Sequence, residues 1–345
     1  MRNLKRLIKY VGVFIIIILV IALFRPTWTS NIKGDNSISV LEQVKINGTK
    51  QQIMIRGRDQ NNPVIIYVHG GPSVSEIPYA KYEDLLEKDF TVVNYDQRGS
   101  GKSYHFNEDY SNLTADVLVD DLLELTDYIS KRFGKEKVIL IGHSYGTYLG
   151  TMAAYKAPEK YEAYIGVGQM SNMQESEIDN LNNTISEAKK AGNTEDVKYL
   201  ERIAEKIHAG EAVTPRGYVY KYGGATRLIN MSDGDILLSR EYNLLDSIRY
   251  TYGVANSQER LVKETLDKPL PKIVTKLELP FYFVMGKYDA MTSSNAAKKY
   301  FDKIEADQKG FISFEESAHY PNFEEKEKFY EWMCDTFVLN ATILH

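Results

Sequence analysis

The sequence predicts an α/β fold: a mostly parallel sheet flanked by helices, with an inserted helical cap and an N-terminal membrane anchor helix. Three observations carry this. Short apolar runs rich in β-branched residues alternate with helical patterns on both sides of a long strand-free stretch. One such run leads directly into Gly142-His143-Ser144-Tyr145-Gly146 and then into a helical segment. A charge-free run, Val11 to Phe24, follows Arg2, Lys5, Arg6 and Lys9 at the start of the chain. The resulting organisation is a basic tail over 1–9, an anchor over 10–28, a stalk over 29–44, a sheet core over 45–170 and 272–345, and a cap over 171–271.

Val11 to Phe24 is short against the roughly 20 residues of a typical span. Tyr10 and Trp28 suit the two interfaces, and Lys9 and Arg25 can snorkel, which lengthens it. The run's length also suits the core of a signal peptide, but the local sequence Leu23-Phe24-Arg25-Pro26 offers no small-residue cleavage site, so a retained anchor is expected ahead of a cleaved signal. Its basic flank puts the N-terminus in the cytoplasm and the body outside, as a single-pass protein of the cell membrane. Residues 29–44 are polar and carry Gly34 and Asp35, as a stalk would.

The strands come next. Val44 to Ile46 and Gln52 to Arg56 flank Asn47-Gly48, a hairpin turn signal. Val64 to Val68 reads as a buried strand that ends in His69-Gly70-Gly71-Pro72. A helical stretch over Tyr82 to Lys88 leads to the strand Phe90 to Tyr95 and the loop Asp96 to Ser103. Thr114 to Arg132 has helical spacing, Val138 to Ile141 is the strand before the serine, and Ala163 to Val167 is another strand. From Gln174 to about Lys268 the pattern is helical and rich in tyrosine, with helices expected over Gln174–Lys190 and Thr194–His208. The alternation resumes with a strand over Pro280 to Met285, a helix over Ser294 to Phe301, a strand over Phe311 to Phe314, and a last helix from Phe323 to Phe337.

Strand, G-x-S-x-G, helix is the context a nucleophile elbow requires. A serine hydroxyl is a poor nucleophile at neutral pH and needs an imidazole oriented by a carboxylate. His319 follows the last strand, and Asp289 ends the one before it in Gly286-Lys287-Tyr288-Asp289, so Ser144, Asp289 and His319 fall at one edge of the sheet in the expected chain order. His143, on the elbow itself, is expected to turn away from Ser144. Glu175 is a second, less well placed acid.

Together these features resemble the α/β-hydrolase superfamily over residues 45–345. His69-Gly70-Gly71-Pro72 with Asp96-Gln97-Arg98-Gly99-Ser100-Gly101-Lys102-Ser103 further resembles the paired signature of proline iminopeptidases and their relatives. The resemblance implies an oxyanion hole made by the N–H groups of Gly71 and Tyr145, and a serine peptidase releasing N-terminal residues from short peptides. Asp96 and Arg98 are expected to brace their loop. The chain departs from that family at Ser73 and His143, where glycine is usual. It also has no tryptophan in the cap, only Trp28 and Trp332, so the Trp-Glu pair that binds a free amino terminus has no counterpart. Glu175, Glu177 and Glu241 stand as cap candidates for substrate binding on charge alone.

The remaining observations mainly exclude. The formal charge is −5, and with four cations in residues 1–9 the remainder carries −9 and no basic stripe, which argues against nucleic acid. A single cysteine, Cys334, excludes an intrachain disulfide and a cysteine-based zinc site, and its neighbours make it a packing residue. Gly99 to Ser103 lacks the first glycine of a phosphate loop, with Asp96 in its place. Glu305 to Glu316 has Lys309 at a ligand position of an EF-hand and reads instead as the turn and strand that deliver His319. No cofactor or metal is expected. The function reading is therefore a membrane-anchored serine aminopeptidase, with a carboxylesterase or other small-molecule acyl hydrolase as the alternative, and a non-catalytic binding protein on the same fold as the third.

Overall fold

The computed structural model describes residues 2–339. Eight strands form one sheet in the order β1-β2-β4-β3-β5-β6-β7-β8. They are β1 (Ile38–Ile46), β2 (Thr49–Gly57), β3 (Val64–Val68), β4 (Thr91–Tyr95), β5 (Val138–His143), β6 (Tyr161–Val167), β7 (Phe281–Gly286) and β8 (Lys309–Phe314). The β1–β2 and β2–β4 pairs are antiparallel, and every other pair is parallel. The β1–β2 hairpin turns at Asn47 and Gly48, both at positive φ as a two-residue turn of this hand demands.

The helices are α1 (Arg2–Phe24), α2 (Ala115–Phe133), α3 (Tyr145–Lys156), α4 (Met173–Lys190), α5 (Thr194–His208), α6 (Arg216–Lys221), α7 (Asp233–Leu238), α8 (Leu244–Asp267), α9 (Leu270–Ile273), α10 (Ser294–Lys303), α11 (Pro321–Glu324) and α12 (Lys326–Cys334). Helices α4 to α9 all lie between β6 and β7. Local chemistry sets the ends of α2: Thr114 accepts from the Val117 N–H, and Gly134 closes it at φ 61°.

The central strands are buried on both faces, and their period of two sorts them into two cores. Val64, Ile66 and Val68 of β3 pack with Leu118, Leu122 and Leu149 of α2 and α3. Ile65 and Tyr67 face the opposite core, with Phe329 and Met333 of α12. Each such apolar side chain contributes roughly 1.5–3 kcal/mol when fully buried.

Three expectations need correction. The stalk over 29–44 is not a free tether: Ile38–Ile46 is strand β1, Thr29 is buried, and Arg56 bonds Thr29 Oγ1 and the Ser30 carbonyl, both at 2.6 Å. Tyr82 to Lys88 forms no α-helix; short 3₁₀ turns at Ile77–Tyr82 and Leu86–Lys88 occupy the region. The last helix is broken near Glu325 into α11 and α12, with a π-helical end over Asp335–Leu339.

Candidate active site

The carboxyl ends of parallel strands are where an open α/β sheet places its ligands. Here β3 runs into His69-Gly70-Gly71, β5 into Ser144, β7 towards Asp289, and β8 towards His319. Ser144 stands alone between β5 and α3 at φ 52° and ψ −121°. Such a conformation costs a residue with a side chain of order 1–3 kcal/mol and persists only when its surroundings enforce it. They do. The Ser144 N–H donates to the Val167 carbonyl at 3.0 Å, and the Ser144 carbonyl accepts from the Thr147 N–H at 2.9 Å and Thr147 Oγ1 at 2.6 Å. A Cβ on Gly146 would collide with the Val68 and His69 carbonyls, so only glycine lets α3 close against β3.

Asp289 is held by its own loop. Its Oδ1 accepts from the N–H groups of Met291 (2.8 Å) and Thr292 (2.9 Å). Its Oδ2 accepts from Thr292 Oγ1 at 2.8 Å and lies 2.9 Å from His319 Nδ1. That bond puts the ring proton on Nδ1 and leaves Nε2 with a lone pair. Burial pulls His319 below the ordinary imidazole value, against the upward pull of Asp289, so the ring is neutral near pH 7. The His319 N–H donates to the Ala225 carbonyl at 3.0 Å, so the β6–β7 insertion helps to fix it. The ring also lies against Gly168, the residue after the Val167 that holds the Ser144 N–H.

Ser144 and His319 line one cavity of about 800 Å³, together with Gly71 and Tyr145. The structure thus brings together all five residues expected to act there. Among the described residues no hydrogen bond joins Ser144 Oγ to the His319 ring. Such contacts often tighten only when substrate is bound. Tyr145 is the first residue of α3, so its N–H has no acceptor within the helix. Gly71 sits at φ 116°, a region closed to side chains.

Among the described residues no hydrogen bond joins the His143 ring to Ser144; the ring lies 4.7 Å from the His319 ring and 4.4 Å from that of Tyr320, and His143 lines the same cavity. Its Nδ1 is 2.6 Å from Glu76 Oε1, and its Nε2 is 3.1 Å from the His319 carbonyl. Burial lowers its pKa, but the Glu76 charge, the Glu76 hydrogen bond and the His319 carbonyl outweigh it, and the net shift is upward. Sequence reasoning missed Glu76. The signal was an acid four residues past Pro72, in the loop at the carboxyl end of β3.

The two cap acids put forward for substrate contact stand elsewhere. Glu175 lies in the first turn of α4 with Lys299 at 3.8 Å, and it is exposed outside the cavity. Glu241 accepts from Ser239 Oγ at 2.8 Å beside the end of α1. Glu177 is buried and bonds Arg216 and the Thr214 N–H (2.7 Å), which makes it a brace within the insertion. The cavity walls carry Glu76, Glu211 and Glu259 instead, with Arg216 and Lys263 as cations.

The 96–103 loop is tied by its own side chains. Arg98 forms a fork to Asp121 at 2.7 and 2.8 Å. Asp96 accepts from Ser75 Oγ, the Lys102 N–H (2.6 Å) and Tyr242 Oη (2.6 Å). Burial raises Asp96 to about 6 despite these donors. His69 is lowered to about 4 by burial and bonds Ser100 Oγ (3.0 Å) and the Gln97 N–H (3.1 Å), so it serves this loop. Among the described residues no cluster of His, Cys, Asp or Glu suits a metal ion. Burial raises the Cys334 thiol, which suits packing better than nucleophilic attack.

Comparison with known proteins adds the family context. The model of the alpha/beta hydrolase fold family matches residues 63–326. A probable aminopeptidase of Bacillus subtilis, YbaC, is 30% identical over 305 residues, covering 85% of this chain and 94% of that protein. A proline iminopeptidase of Saccharolobus solfataricus is 25% identical over 80% of this chain and 84% of its own. The crystal structure of a proline iminopeptidase from Mycobacterium smegmatis superposes with a TM-score of 0.65 over 88% of this chain and all of that one, at 16% identity.

Proposed function

This chain belongs to the α/β-hydrolase fold family, and from that premise we propose that it is a membrane-anchored serine hydrolase acting through Ser144, His319 and Asp289. The observation that carries the reading is the 2.9 Å bond from Asp289 to His319 Nδ1, in a cavity whose wall also holds a serine at a strained turn.

Ser144 Oγ attacks the substrate carbonyl while His319 Nε2 takes its proton. Asp289 keeps the Nδ1–H in place and stabilises the imidazolium that forms. The negative charge on the carbonyl oxygen falls to the N–H groups of Gly71 and Tyr145, each worth roughly 3 kcal/mol. His319 then gives the proton to the leaving group, an acyl-enzyme forms at Ser144, and water attacks it with His319 again as base.

Similarity to a probable aminopeptidase and to proline iminopeptidases makes a proline iminopeptidase-like aminopeptidase on short peptides the first reading. A carboxylesterase or other acyl hydrolase is the second. Its support is the apolar part of the cavity wall, which includes Met170, Met173, Val262 and Leu266. The β6–β7 insertion acts as the cap in either case. The anchor is α1: Asn3–Phe24 is 22 residues long with a high mean hydropathy and no fully buried residue in its apolar window. At 1.5 Å per residue the helix is about 33 Å long, against roughly 30 Å of hydrocarbon, with Lys5, Arg6 and Lys9 in its first turns at the cytoplasmic side.

The test is turnover of prolyl and alanyl arylamides against short acyl esters by purified protein. Cleavage of the arylamides supports the peptidase reading, turnover of esters alone selects the second, and turnover of neither class removes both.

A further inference from the structure

The chain leaving α1 is bonded residue by residue to the body. The Arg25 guanidinium donates to the carbonyls of Ser239 and Tyr242, and Asn243 Nδ2 donates to the Arg25 carbonyl at 3.1 Å. Lys102 Nζ reaches Thr27 Oγ1 at 2.7 Å, and the Trp28 N–H donates to the Arg240 carbonyl at 3.1 Å. Arg240 in turn donates to Ser30 Oγ at 2.5 Å. The last turn of α1 half-buries Ala22 and Leu23, and α1 touches α8. The apolar helix therefore arrives directly on the 239–243 loop between α7 and α8, with no slack between them.

Three large apolar side chains stand uncovered around this junction. Leu238 is 87% exposed, Leu237 54% and Trp28 52%. Leu238 is bonded in the chain to Ser239, whose carbonyl takes the Arg25 guanidinium. In water this patch is unfavourable. At a bilayer surface it is not: tryptophan favours the headgroup layer and leucine the acyl boundary. Arg25 ends the apolar span and so marks the level at which the hydrocarbon stops. Residues held against Arg25 are held at that level.

We propose that Trp28, Leu237 and Leu238 sit in the interfacial layer of the bilayer, so that the body is docked on the membrane surface in one orientation rather than hung from a flexible stalk. This rests on the reading of α1 as a membrane anchor. It also limits how far the cavity can stand from the bilayer surface. Helix α8 starts beside the junction, and its residues Gln258 to Leu266 line the cavity. At 1.5 Å per residue they lie about 20–33 Å along the helix from its start.

The test uses the full chain in vesicles of phosphatidylcholine and phosphatidylglycerol, on a Cys334→Ser background because Cys334 is the free cysteine. Single cysteines at Leu238→Cys, Leu237→Cys, Ile17→Cys and Tyr155→Cys carry an environment-sensitive fluorophore, and the lipids carry a quencher at shallow or deep acyl positions. Tyr155 is exposed at the far end of α3, which runs away from the cavity edge of the sheet. The expected result is loss of emission at 238 and 237 with shallow quencher, at 17 with deep quencher, and at 155 with neither. If 17 is quenched while 238 and 237 behave like 155, docking is refuted and the anchor stands. If 17 is not quenched, the anchor reading fails and the docking with it.

Discussion

His143 and Glu76 form a buried pair, with Nδ1 2.6 Å from Oε1, and the second nitrogen of His143 faces the His319 carbonyl at 3.1 Å. A carboxylate and a carbonyl can only accept. Both contacts are hydrogen bonds when the ring donates from both nitrogens, which agrees with its raised pKa. A cationic His143 beside His319 lowers the pKa of that ring. Glu76→Gln removes the charge that raises His143 against its burial, and the His143 pKa is expected to fall. On the proposed mechanism His319 sets the acid limb of the kcat/KM profile, and that limb is expected to move to higher pH. An unchanged acid limb would show that His143 carries no charge in the wild type.

Asp289 does two jobs whose separation is measurable. It fixes the Nδ1–H of His319, and it caps the Met291 and Thr292 N–H groups through Oδ1. In Asp289→Asn the amide oxygen can keep the two N–H groups, which turns the amide nitrogen towards His319. Nδ1 must then accept, Nε2 carries the proton, and the base is lost. The expected loss in kcat is on the order of 10⁴-fold with the fold retained. Ser144→Ala is expected to abolish labelling by a fluorophosphonate. Turnover of Asp289→Asn within ten-fold of wild type would rule out this role for the carboxylate.

Glu83 links stability to pH. Burial raises it to about 8; Asn94 donates to it at 2.8 Å and pulls down, while Glu76 and Glu87 push up. The folded state therefore binds a proton that the unfolded state releases, from the ordinary glutamate range up to about 8. In that window stability falls as pH rises. Glu83→Gln mimics the protonated acid and is expected to flatten the decline between about pH 5 and 8. Denaturant midpoints for both proteins across that range check it, and parallel curves would contradict it.

What could be read in the sequence followed local rules. Val64–Val68 was legible because a strand buried on both faces is a short apolar run. Thr194–His208 was legible because Asn193 caps it and Gly192 precedes it. The order of Ser144, Asp289 and His319 could be placed because each follows a strand of one parallel sheet. Residues 38–44 misled because β1 is an edge strand, and Ser39, Glu42 and Gln43 give it the polarity of a linker. Glu76 and His143 are 67 positions apart and meet only through the β3–β5 pairing, so no local pattern joins them. Glu175 and Glu241 are candidates by charge alone, and charge without a strand end does not locate a side chain.

Glu175 and Tyr242 differ in what surrounds them, one exposed outside the cavity and the other fully buried. Glu175→Gln is expected to leave kcat/KM within about two-fold, since surface changes away from a site usually cost under about 0.5 kcal/mol. Tyr242, adjacent in the chain to Glu241, is fully buried, and its hydroxyl donates to Asp96 Oδ2 at 2.6 Å. Tyr242→Phe takes one donor from a buried carboxylate that burial already pushes to about 6. Asp96 is then expected to rise further, and the protein to lose about 1–3 kcal/mol of stability at pH 8. At pH 5 the loss is smaller, because a protonated Asp96 needs the donor less. Denaturation of the wild type and the variant at both pH values measures this. An equal loss at each would show that the hydroxyl matters for packing and not for the charge on Asp96.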